Sequence, residues 1–316
     1  MARQPPEKQP PGKQHPPPKQ NRKKQYGKPQ GKRHPETQET GKREAEKPSR
    51  GTPRGLPQGQ PRTHQTPKPG GGGVYLYGVS PVESALRSAK RILFELWIKE
   101  GRHTERVEQL LGSARRQGLK ISPATHLTLE NLCGSSTHQG VVLRCAPLAM
   151  EDESALMERI NPRTLVVALD EVEDPQNLGA IARNCLVFGA QGLVLPRRHS
   201  APLSPAASKA SAGALEILPI YEAANLARFL ELWRKNGYSV VGAVMEGDTP
   251  LDRFEPDGPL VVVLGNEGRG LRPLVEKSCD VRLSIPTGSD LSLNVASASA
   301  VLLYHLTLPY KNRMNP

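Results

Sequence analysis

The chain has 316 residues, with 43 Lys and Arg against 31 Asp and Glu and a formal net charge of +12 at neutral pH. Residues 1–73 hold 17 of the basic residues and only 5 of the acidic ones, so they carry the whole surplus and leave the remaining 243 residues neutral. The same segment has 15 of the 31 prolines and little apolar beyond Tyr26 and Leu56, which excludes a packed core there.

Residues 1–73 are therefore expected to be a disordered basic tail, binding RNA as a general affinity arm through counterion release. A secretory signal needs an apolar core, and none precedes Val74. The density of Pro, Gly and Lys, without an amphipathic pattern, argues against a transit peptide. No run of about 18 apolar residues occurs, so no membrane span is expected. The four cysteines, Cys133, Cys145, Cys185 and Cys279, are widely spaced without a CxxC pair. Zinc ribbons and disulfide scaffolds are thereby disfavoured, and a reducing, cytoplasmic compartment fits.

In chain order, the body opens with VYLYGVSPVESAL, where Ser80-Pro81-x-Glu83 marks a helix start and Val82 and Leu86 recur at helical spacing. ILFELWI reads as a strand, residues 105–117 as a helix, and residues 120–121 as a short strand. A polar helix or turn at STHQG, residues 136–140, precedes the strand VVLRC. Together these make a small α/β domain over residues 74–147, followed by a linker or connecting helix across 148–163. Trp97 and Trp233 sit in core-like patterns, and Cys185 and Cys279 read as small buried hydrophobes.

From residue 164 to the C-terminus, strands and helices alternate in the rhythm of a parallel sheet with helices on both faces. Strands are expected at 164–169, 192–195, 218–220, 239–244, 260–264 and 281–285. Helices are expected at 177–188, across SKASAGALE (208–216), at 223–236 and at 295–306. The last begins with Ser292 and Asn294 near its N-cap and continues in Ala and Ser, side chains small enough for close backbone packing.

Neither G-x-G-x-x-G after the first strand nor a phosphate-binding G-x-x-x-x-G-K-[ST] is present. The polar signal is concentrated in DEVEDPQNLGAIARN (170–184), GNEGRGL (265–271) and IPTGSDLSLNVASASA (285–300). Each lies at or beyond the C-terminal end of an expected strand, where open α/β sheets place their ligands.

At these segments the chain resembles the SpoU, or TrmH-like, branch of the SPOUT RNA methyltransferases. Asp174, Pro175, Asn177, Gly179 and Arg183 match the family's D-P-x-N-x-G-x-x-x-R pattern. Gly265, Glu267 and Gly268 match G-x-E-G, and Ser292, Leu293 and Asn294 match S-L-N. GVSPVESAL and HQGVV look like the family's L30e-like RNA-binding domain. The resemblance implies ribose 2′-O-methylation of rRNA or tRNA with S-adenosylmethionine. It also implies a C-terminal trefoil knot, and a homodimer with active sites beside its interface.

By the same resemblance the adenosine contacts backbone at Leu264, Gly265, Ile285 and Leu293, with Gly268 beside it and no metal. Arg183 is the family's essential residue. Because a guanidinium is almost always protonated, it is expected to hold the adjacent phosphate and stabilise the developing alkoxide. Asn177, Ser292 and Asn294 are expected to orient ribose and backbone, and Glu267 to fix Arg183 or its own loop. Each has a plainer competitor: Asn177 and Asn294 as helix caps, Glu267 as a solvated carboxylate, Arg183 in a surface ion pair. His138 and Gln139 are equally explained by a turn at a domain edge. The competing function is an RNA-binding factor with a non-catalytic methyltransferase-like body.

Overall fold

The computed structural model describes residues 72–312. The expectation of a disordered tail falls on residues outside these, apart from Gly72 and Gly73. Among the described residues, no helix is long and apolar enough to cross a membrane.

The first sheet contains β1 (Val74–Tyr77), β2 (Leu93–Lys99), β3 (Lys120–Ala124) and β4 (Val141–Cys145), in the order β1-β4-β2-β3. Its helices are α1 (Val79–Ser88), α2 (Glu105–Arg116) and α3 (His126–Cys133). Leu76, Leu96 and Leu143 pack with α1 and α2 on one face, while Tyr77, Val142 and Leu129 of α3 form a smaller cluster. Helix α3 was not foreseen. It has no strong apolar stripe, and its start is set locally by Thr125, whose hydroxyl accepts the Thr128 N–H at 3.2 Å. STHQG forms the turn after it.

The connecting stretch carries β5 (Glu151–Asp152) and the short helix α4 (Glu153–Met157). Strand β5 pairs in parallel with β8 (Ile220–Ala223) and forms one edge of the second sheet. The rest of that sheet comprises β6 (Leu165–Leu169), β7 (Gly192–Pro196), β9 (Ser239–Ala243), β10 (Thr249–Pro250), β11 (Leu260–Leu264) and β12 (Val281–Ser284). Its order is β10-β12-β9-β11-β6-β7-β8-β5, with all pairings parallel.

Central strands are buried on both faces, so they read as unbroken apolar runs rather than alternating ones. Leu260, Val262 and Leu264 join one core with α5 (Pro175–Phe188) and α9 (Val295–Asn312). Val261 and Val263 join the other with α7 (Leu226–Lys235) and the short α8 (Pro273–Lys277). Trp233 is fully buried in this second core, whereas Trp97 is only half-buried. Cys185 is buried as expected; Cys279 is only partly so.

The helix expected across 208–216 is divided. Helix α6 (Pro205–Ala210) ends, left-handed backbone follows at Ala212 (φ 51) and Gly213 (φ 90), and a single 3-10 turn spans Ala214–Glu216. The small side chains let these pieces crowd α5: a Cβ on Gly179 would lie 2.5 Å from the Ala207 carbonyl oxygen. Thus the glycine of the first motif serves the packing of α5 on α6.

Candidate active site

Helix α5 starts where Asp174 accepts the Gln176 N–H at 3.0 Å and Pro175 supplies a preset backbone angle. It ends at Gly189, left-handed at φ 83. Asp174 is therefore the cap, which leaves the Asn177 side chain for another task. Asn177 donates its amide to Glu267 Oε1 from the loop after β11. Asn294 donates to the same oxygen at 3.0 Å and to Asn177 Oδ1 at 3.2 Å. One residue from each of the three motif segments thus meets in a single hydrogen-bonded cluster.

Asn294 also accepts the Ala296 N–H at 2.9 Å, so it caps α9 as well as joining the cluster. Below it, Asn184 of α5 donates to the Ala296 carbonyl at 2.9 Å and to Ser299 Oγ at 2.8 Å. The alanine and serine residues of α9 make that close approach possible. Arg183 is exposed and forms no ion pair or hydrogen bond among the described residues. Glu267 makes no hydrogen bond or ion pair with Arg183 among the described residues; its side chain accepts from Asn177 and Asn294 instead. Ser292 is exposed, without a hydrogen bond among the described residues, and faces the adjoining cavity.

That cavity has a volume of about 480 Å³. Leu264, Gly265, Gly268, Ile285 and Leu293 all line it, together with Glu267 and Ser292. Leu283 and Leu302 supply apolar floor, and Glu246 and Glu276 stand at its walls. The size falls within the usual range for small-molecule sites, roughly 300–1,000 Å³. Apolar surface for a flat heterocycle and peptide groups from two loops make the lining suited to S-adenosylmethionine, while Arg269 and Arg282 also line it and Arg282 pairs with Glu276 at 2.9 Å.

The loop itself is a tight reversal. Asn266 and Gly270 exchange backbone hydrogen bonds at 3.0 and 2.8 Å, and Asn266 Oδ1 accepts the Gly268 N–H at 3.0 Å. A Cβ on Gly265 would lie 2.5 Å from the Gly270 carbonyl oxygen. The glycine is therefore required by the loop's approach to itself, before any ligand is considered. Gly268 is different, since a Cβ there would meet only Asn266 Oδ1 at 3.7 Å.

Sequence reasoning gave no role to Asp170, although an acid at the end of an apolar strand was the available signal. Its side chain is fully buried and binds the Arg272 backbone N–H at 2.8 Å and Nε at 2.7 Å. Glu171, at φ 58, turns its carbonyl to the Asn266 side-chain amide at 2.9 Å. These contacts tie the loop after β6 to the one after β11, holding the cavity wall from behind.

The SpoU rRNA Methylase family matches residues 164–304, and the RNA 2′-O ribose methyltransferase substrate-binding family matches residues 75–150. The 23S rRNA (guanosine-2′-O-)-methyltransferase RlmB of Shewanella oneidensis is 36% identical over 233 residues, spanning 72% of this chain and 94% of that protein. An uncharacterized tRNA/rRNA methyltransferase of Mycobacterium avium is 39% identical over 206 residues, 64% of this chain and 67% of that one. Among solved structures, the SpoU methyltransferase AviRb from Streptomyces viridochromogenes, in complex with AdoMet, superposes with a TM-score of 0.64 at 25% identity. That match covers 78% of this chain and 92% of the other. A tandem match to both families and extended identity to a methyltransferase agree with three motifs meeting in one hydrogen-bonded cluster: the chain belongs to the SpoU family of RNA 2′-O-ribose methyltransferases.

Proposed function

We propose that this chain methylates the ribose 2′-hydroxyl of a guanosine in 23S ribosomal RNA, using S-adenosylmethionine held in the cavity between the loops after β11 and β12. The observation that carries the reading is the Asn177–Glu267–Asn294 cluster, whose Glu267 lines that cavity. A non-catalytic RNA-binding body has no need to join three distant polar segments there. The choice of RNA and base follows the similarity to RlmB proteins.

When bound, S-adenosylmethionine supplies a methyl group on a cationic sulfur, whose departure as a neutral thioether needs no proton. The protein's work is therefore orientation of the ribose and stabilisation of charge on its oxygen. Leu264, Ile285 and Leu293 would hold the adenosine, while the backbone at Gly265 and Gly268 bounds it. Arg183, with no partner among the described residues, is free to take an RNA phosphate and to stabilise the alkoxide. Asn177 and Asn294 set the position of Glu267 and the loop, and Ser292 offers a hydroxyl to the substrate side.

The same reading includes a homodimer. Leu186, Val187, Val301 and Tyr304 are exposed on the packed helices α5 and α9, an apolar patch suited to a second copy. It includes the trefoil knot, for which the tight α5–α9 contacts are suitable, and a cytoplasmic site of action, where ribosomal RNA is found. The test is mass-spectrometric mapping of 2′-O-methyl groups in 23S rRNA from cells with and without the gene, paired with calorimetry of the protein with S-adenosylmethionine. Loss of one guanosine methylation is the expected outcome. An unchanged map with no cofactor binding at millimolar ligand overturns the reading and favours the non-catalytic alternative.

A further inference from the structure

The small domain docks on α6 and its following turn, and the contact is ionic at its centre. Arg91, in the turn between α1 and β2, donates from Nε and Nη2 to Glu216 at 2.6 and 2.8 Å, and from Nη1 to the Ala146 carbonyl at 3.0 Å. Ser208 donates to the same carboxylate at 2.7 Å. The Arg91 and Glu216 side chains are 1% and 0% exposed. Two contacts flank them: Lys90 Nζ to the Ile217 carbonyl at 2.6 Å, and Lys209 Nζ to Gln139 Oε1 at 2.7 Å. Gln139, in the HQG turn, is itself left-handed at φ 55.

We propose that Arg91 and Glu216 are positioning residues for methyl transfer, fixing the RNA-binding domain in one orientation relative to α5, the helix that bears Asn177 and Arg183. The inference rests on the RNA methyltransferase reading above. Apolar surfaces tolerate small rotations, because their attraction is non-directional. A dry ion pair with directed hydrogen bonds offsets its desolvation in only one geometry, so it specifies orientation more than it adds stability. Helix α6 transmits that orientation, since it packs on α5 at Gly179 with no room for a methyl group. RNA gripped by the small domain would then present its target ribose at a fixed place beside the cavity. Orientation of this kind governs the transfer rate more than the affinity for either ligand.

The test replaces the pair by apolar residues, Arg91→Met with Glu216→Leu, in the full chain, because such replacements commonly preserve stability. Thermal unfolding, S-adenosylmethionine affinity by calorimetry and affinity for an unmodified 23S rRNA transcript by filter binding should stay close to wild type, with both affinities within about threefold. The single-turnover methylation rate at saturating RNA should fall by about tenfold or more, as loss of orientation requires. Hydrogen exchange in residues 205–217 should quicken. An unchanged rate overturns the proposal. A rate that falls together with cofactor affinity and melting temperature also overturns it, because the pair then only maintains the fold. If the wild-type protein transfers no methyl group, the activity reading fails separately, and unaltered exchange in 205–217 alone rejects the positioning pair.

Discussion

Asn294 donates its side-chain amide to Glu267 Oε1 at 3.0 Å while its side-chain Oδ1 accepts the Ala296 N–H at 2.9 Å. The same side chain therefore starts α9 and holds the loop after β11. Capping the helix and joining the three motif segments, which look like alternatives in the sequence, are here one arrangement. Asn294→Ala should lower stability by about 1 kcal/mol through the lost cap and weaken S-adenosylmethionine binding through the released loop. Calorimetry and thermal unfolding check both, and unchanged cofactor affinity would separate the cap from the site.

Glu267 accepts from Asn177 and Asn294 through one oxygen, a task that a carboxamide oxygen can also perform. Glu267→Gln should therefore retain methyl transfer within about fivefold, a difference of roughly 1 kcal/mol. Glu267→Ala should lose far more, because it leaves both asparagine donors without their shared acceptor. If the Gln variant is as inactive as the Ala variant, the negative charge itself is required and the cluster is more than a brace.

Arg183 differs from Asn177, Glu267 and Asn294 in having no hydrogen bond or ion pair among the described residues. Arg183→Ala should abolish turnover while leaving cofactor affinity nearly unchanged, the signature of an interaction made chiefly in the transition state. Arg183→Lys should fail too, since an ammonium lacks the planar fork. Transfer by the Lys variant above about a tenth of the wild-type rate, or roughly 1.4 kcal/mol, removes Arg183 from the central role.

The central strands β6, β7, β9 and β11 were legible because each is a short apolar run buried at its centre. The two-residue β5 and β10 were not foreseen, and the strand expected at 218–220 lies at Ile220–Ala223. The three polar segments were legible because each follows an expected strand. What the sequence hid was of a different physical kind, partly local backbone conformation and partly a contact distant in sequence. The break of the small-residue helix depends on left-handed backbone at Ala212, a residue that seldom adopts it. Helix α3 rests on one threonine cap rather than a strong stripe. The Asp170–Arg272 pair joins residues 102 apart in sequence, and no local pattern announces such a partnership.

Gly265 and Gly268 look alike in the motif but meet different surroundings. Gly265→Ala should distort the loop even without ligand, because its Cβ would lie 2.5 Å from the Gly270 carbonyl oxygen. Gly268→Ala should fold normally and, if the cofactor's place is correct, reduce only S-adenosylmethionine affinity. Hydrogen exchange of the loop in cofactor-free protein distinguishes the two. Equal and unperturbed loop protection in both variants would contradict the close approach at Gly265.

His138 provides a pH test of the small domain. The residue is 1% exposed, Nδ1 accepts the Gly140 N–H at 2.9 Å, and Nε2 is buried without a hydrogen-bond partner among the described residues. Burial holds its pKa below the ordinary 6.5, helped by the neighbouring His126 and by Lys99 and Lys209, while Glu130 opposes them. A histidine whose folded pKa is depressed is neutral in the fold when it would already be charged in the unfolded chain. Its contribution to stability is therefore fully present above 6.5 and is lost as pH falls from 6.5 towards the folded value. The wild-type protein should lose melting temperature between neutral and mildly acidic pH more steeply than His138→Gln, whose amide can still accept from Gly140 but does not titrate. The measurement is thermal unfolding of both proteins across that range; parallel slopes would show that protonation of the buried imidazole does not limit the domain's stability.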